Sequence, residues 1–91
     1  LALEYLNFSN CPLLTEEAII KVLIRFSEFL EGVILDSSDQ ITDKTLEALL
    51  SCRPKRDKPR LRLLDIKGCS KITKNGLAMF RVVYPEVEIH I

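Results

Sequence analysis

The stretch LRLLDIKGCSKITKNGL, Leu61–Leu77, changes its hydrophobic period in the middle. Leu64 and Ile66 stand two residues apart, as on one face of a strand. After Cys69 the alternation stops, and from Leu77 to Phe80 the apolar spacing is helical. A strand, a turn and a helix are therefore predicted within one short segment.

The same pattern occurs twice more. Leu61, Leu64, Ile66, Cys69, Ile72, Thr73 and Leu77 match Leu30, Val33, Leu35, Ser38, Ile41, Thr42 and Leu46 at a shift of 31 residues. They match Leu3, Leu6, Phe8, Cys11, Leu14, Thr15 and Ile19 at a shift of 58. The small residue of each turn (Cys11, Ser38, Cys69) is expected to point inward, where a larger side chain would not fit. Thr15, Thr42 and Thr73 stand where an N-cap belongs, with hydroxyls able to meet orphan amides. Glu16, Glu17 and Asp43 follow in the first turn, where the helix dipole favours negative charge.

One such unit cannot bury its own apolar face, but stacked units can. The expected fold is α/β, a short solenoid with a parallel sheet of about four strands and helices on its outer face. Repeats run about 3–29, 30–60 and 61–86 in a single domain, 1–91. Residues 87–91 read as a terminal strand with Val87, Ile89 and Ile91 inward. The chain starts at Leu1 rather than Met, and the first repeat has no visible cap before it, so the expectation is the C-terminal part of a longer chain.

The pattern resembles the cysteine-containing leucine-rich repeats, whose motif runs LxxLxLxxCxxITDxGL. Leu61–Leu77 matches nearly every position, with Lys74 in place of Asp. VILDSSDQITDKTL keeps ITD but loses the Cys and the Gly, and LEYLNFSNCPLLTEEAI keeps the Cys. The resemblance implies a leucine-rich-repeat horseshoe that binds proteins. Chains of this kind include the substrate receptors of F-box-type ubiquitin ligases, which implies a cytoplasmic or nuclear site of action. They also include a mitochondrial set similar to ATP synthase subunit s, linked to respiratory complex assembly, whose members end in a Pro-plus-alternating strand as YPEVEIHI does.

The remaining chemistry is sparse. His90 is the only histidine and has no nucleophile at a recognisable spacing. The three cysteines lack a CxxC pair, which argues against a zinc site or a disulfide framework. The glycines Gly32, Gly68 and Gly76 are isolated, so no phosphate-cradling loop is present. No catalytic residues, metal, cofactor or enzymatic activity are expected. No apolar run reaches the roughly 18 residues that span a bilayer.

Charge is uneven although the net charge is zero. Residues 1–52 sum to −6 and residues 53–91 to +6. Much of the second half comes from RPKRDKPRLR, which holds Arg53, Lys55, Arg56, Lys58 and Arg60. Pro54 and Pro59 forbid helix through it, so an exposed loop is expected. It reads either as a solvated insertion or as a contact for an acidic partner, anionic lipid or ribonucleoprotein.

Strand alternation leaves one sheet face open. It carries Tyr5, Asn7 and Ser9, then Gly32, Ile34 and Asp36, then Leu63, Asp65 and Lys67, then Glu88 and His90. Ile34 and Leu63, with Tyr5 beyond, form an apolar group ringed by Asp36, Asp65, Lys67 and Glu88, the pattern of an interface core with a polar rim. These are the candidate partner-binding residues. Asp36 and Lys67 are expected to pair across strands. The expected partner is another protein, within a larger assembly.

Overall fold

The computed structural model describes residues 5–51 and 61–91. Seven elements follow in order: β1 (Tyr5–Asn7), α1 (Glu16–Arg25), β2 (Gly32–Ile34), α2 (Asp43–Ser51), β3 (Leu63–Asp65), α3 (Lys74–Val83) and β4 (Glu88–His90). The four strands form a parallel sheet in chain order, β1-β2-β3-β4. One described helix lies between each neighbouring pair in the chain.

The register is the one the repeat predicts. Tyr5 pairs with Gly32, Gly32 with Leu63, and Leu63 with Glu88. Two residues on, Asn7, Ile34, Asp65 and His90 form the next column. Between these columns Leu6, Val33, Leu64 and Ile89 point the other way, towards the helices.

Ile19 and Leu23 of α1, Leu46 and Leu49 of α2 and Phe80 of α3 join Val33, Leu35, Leu64 and Ile66 in one apolar cluster. Val33, Leu35 and Leu64 are fully buried in its centre. Burying each such side chain stabilises by about 1.5–3 kcal/mol. The helices have only 9 or 10 residues, a length at which an isolated helix is marginal in water, so packing on the sheet must hold them. Leu6, Phe8 and Ile89 are only half-buried. Their strands have a neighbour on one side only among the described residues. Ile91, expected inward, borders a cleft with Ile66, Ile72 and Leu77 but is 73% exposed. It lies beyond β4, which ends at His90, and nothing among the described residues continues the sheet over it.

The turn after each strand repeats its backbone as well as its sequence. Asn10, Ser37 and Gly68 occupy one repeat position, and all three have positive φ, at 53°, 58° and 73°. Asn and Gly tolerate the left-handed region better than most residues, and Ser37 adopts it without that advantage. The next residue is the small one. Cys69 is buried and its thiol donates to Leu35 O at 3.1 Å, in the preceding unit. Ser38 is likewise buried, whereas Cys11 is half-buried and donates weakly to Ser9 O at 3.5 Å in its own unit.

Thr15 and Thr73 cap their helices as expected, accepting from Ala18 N at 3.1 Å and Gly76 N at 3.0 Å. Thr42 accepts instead from Lys44 N at 3.2 Å. At the far end of α2, Tyr84 OH donates to Leu49 O at 2.9 Å from a buried position, and the Tyr84 ring stacks on Phe80 with centroids 4.9 Å apart.

Candidate functional site

Acidic residues at the helix starts join one unit to the next. The Glu16 carboxylate accepts from Thr42 N at 2.7 Å, from Thr42 Oγ1 at 2.7 Å and from Thr45 Oγ1 at 2.9 Å. The Asp43 carboxylate accepts from Thr73 N at 2.9 Å and from Thr73 Oγ1 at 2.5 Å. Each acid opens its own helix and satisfies orphan donors at the start of the next. Lys74 holds the equivalent position in the third unit, where no described helix follows. Burial would raise the Glu16 pKa, but the two Thr42 hydrogen bonds, the Thr45 hydroxyl and the nearby Lys44 charge together hold it below its ordinary value of 4.5.

Carboxylate length is matched to the neighbour. The longer Glu16 leaves room for Thr45, which is fully buried. The shorter Asp43 lies on Gly76, where an added Cβ would stand 2.5 Å from Asp43 Cγ. A further clamp comes from Gln40, whose Nε2 donates to Cys11 O at 3.0 Å and Leu14 O at 2.9 Å in the first unit's turn. These devices fix how adjacent units sit, and so fix the face the sheet presents.

On that open face the structure brings Tyr5, Ile34, Leu63, Asp65 and Glu88 into the two register columns, with Asp36 and Lys67 just beyond the strand ends. Tyr5 is 52% exposed, Lys67 and Glu88 are exposed, and Ile34, Asp36, Leu63 and Asp65 are half-buried. The Tyr5 ring lies over Gly32, against the place a β2 side chain would take. It thereby extends apolar surface along the row that continues to Leu63.

The polar residues differ in how far they are already engaged. Asn7 Oδ1 accepts from Ser9 N at 2.8 Å and Asp65 Oδ1 from Lys67 N at 3.1 Å, so both side chains turn the chain as it leaves its strand. Ile34 stands between them in the same column and can make no such bond. The expected Asp36–Lys67 ion pair is not formed; Asp36 instead accepts from the Ser9 hydroxyl on the other side. A short side chain one strand away reaches Asp36 directly, while Lys67 can keep its ammonium in water. His90 Nε2 approaches Glu88 Oε1 at 3.3 Å on the same face.

Burial raises the Cys69 thiol above its ordinary value of 9.0, and the carboxylates of Asp36, Asp65 and Asp39 push the same way against a backbone hydrogen bond from Ser38. The described residues hold no group of three or more His, Cys, Asp or Glu placed to bind a metal ion, and no helix among them is long and apolar enough to cross a membrane. Arg53, Lys55, Arg56, Lys58 and Arg60 lie outside the described residues. No family model matches the chain, and no curated protein matches it.

Proposed function

We propose that the chain is a leucine-rich-repeat solenoid that works as a protein-interaction module, binding its partner on the open face of the sheet. Three units joined by the Glu16 and Asp43 carboxylates form a stiff platform for such a face. Ile34 carries the reading. The residues that flank it in its column spend their side chains on ending strands, whereas the Ile34 side chain has no polar atom to spend and is not part of the apolar cluster beneath the sheet. With Leu63 and Tyr5 it makes a contiguous apolar group within a polar rim, the anatomy of a contact centre. A ligase substrate receptor is the role the motif resemblance suggests first, and a mitochondrial assembly subunit second.

The test places a photo-crosslinking p-benzoylphenylalanine at Leu63 and, for comparison, at Met79, which is 66% exposed on α3. In cells expressing the protein, the reading expects a discrete covalent protein adduct from position 63 and none from position 79. Adducts from position 79 alone would move the working surface to the helices.

A further inference from the structure

The open face also has a charge pattern that selects its occupant. Its apolar group is bordered by three carboxylates, Asp36, Asp65 and Glu88, and by one ammonium, Lys67. Asp65 and Glu88 lie on the neighbouring strands β3 and β4 and Asp36 lies two residues past the end of β2, so the carboxylates flank the apolar group on several sides. Asp36 and Asp65 each accept one described hydrogen bond, and a carboxylate has capacity for more. Neither is in an ion pair with a described cation. Glu88 is exposed, and among the described residues its carboxylate pairs with His90, a partner that is charged only when protonated.

Resting on the interaction reading above, we infer that the partner segment bound here is basic as well as apolar. Aliphatic side chains sit against Ile34, Leu63 and the Tyr5 ring, and Lys or Arg side chains meet Asp36, Asp65 and Glu88. An acidic segment is rejected, because its carboxylates would face three of like charge at close range. Lys67 gives the face a polarity: it stands at one end of β3, past Asp65, and Glu88 stands beside Leu63 at the other. The charges of a bound segment are therefore read in order as well as in sign.

The experiment uses three fluorescein-labelled peptides of equal length: leucine alternating with lysine, leucine with glutamate, and serine with lysine. Binding to the whole chain is read by fluorescence polarisation. The leucine–lysine peptide is expected to bind, and each of the other two at least about tenfold more weakly. The triple variant Asp36→Asn, Asp65→Asn, Glu88→Gln keeps the side-chain shapes, and the amide oxygen it puts at position 65 can still accept from Lys67 N. It is expected to weaken the leucine–lysine peptide by about tenfold or more while circular dichroism shows the native helix content. Equal binding of the leucine–glutamate or serine–lysine peptide, or unchanged binding by the triple variant, overturns the inference. If position 63 crosslinks a protein but the leucine–lysine peptide does not bind, the inference is overturned and the interaction reading stands.

Discussion

Asp43 and Gly76 are in contact across two helix starts: the carboxylate that holds Thr73 rests where any Cβ on residue 76 would have to go. The pair explains a glycine in the first turn of a helix, where alanine would otherwise be favoured by up to about 1 kcal/mol. Gly76→Ala is expected to destabilise the protein, because Asp43 must move and lose hydrogen bonds to Thr73. In the Asp43→Ala background the same substitution is expected to stabilise it. Urea unfolding of the four proteins gives the coupling directly, and equal effects in both backgrounds would contradict the contact.

The Glu16 junction predicts a pH dependence with a definite sign. Its folded pKa lies below the ordinary 4.5, so the ionised form is the one the fold favours. The contribution is fully present above the unfolded pKa and is lost as pH falls through the folded one. Glu16→Gln should therefore be less stable than the parent near neutral pH, and the gap should close as the pH falls below 4.5. Unfolding curves collected from neutral to strongly acid pH check it; a gap that stays constant would mean that Glu16 acts by shape alone.

Much of this architecture is visible in the residue pattern, for physical reasons that differ by feature. Strands, helices and register follow from the repeat, because a parallel stack places equivalent residues side by side: Tyr5, Gly32 and Leu63 are equivalent in sequence and paired in space. Thr15 and Thr73 are readable as caps because capping is local. The roles of Glu16 and Asp43 are not local. An acid in a first turn is already accounted for by the helix dipole, and only the recurrence of acid and Thr in successive units, with Lys74 at the end, hints at a bond between units. The left-handed turn at Asn10, Ser37 and Gly68 leaves a signal in the types Asn and Gly, which a search for apolar positions passes over. Ile91 stays exposed because it lies past the last paired residue and no described strand or helix covers it. On the open face the sequence supplies the columns, but the Ser9–Asp36 bond and the Tyr5 ring over Gly32 depend on rotamers.

Tyr84 closes the end of α2 through its hydroxyl. Tyr84→Phe keeps the stacking on Phe80 and leaves Leu49 O without that donor, so a loss of about 1–3 kcal/mol is expected. Chemical denaturation measures it, and a variant as stable as the parent would show that water replaces the bond.

The two described cysteines should differ. Cys69 is buried, hydrogen-bonded and raised in pKa, whereas Cys11 is half-buried. A thiol reagent in native buffer should modify Cys11 well before Cys69, and Cys69 should react at the free-thiol rate once the protein unfolds. Mass spectrometry of digests taken over time resolves the two sites, and rapid native labelling of Cys69 would contradict its place in the turn.

The central claim is that the open face of the sheet is where a partner binds. Its most direct measurement is the affinity, for the protein crosslinked from position 63, of two double variants that each add two lysines. Ile34→Lys with Leu63→Lys alters the open face, and Met79→Lys with Val82→Lys alters the exposed side of α3. The account predicts that the first pair weakens binding by about 2 kcal/mol or more while the second leaves it within about 0.5 kcal/mol of the parent. Normal binding by the first pair in a folded protein, or a loss confined to the second, would contradict it.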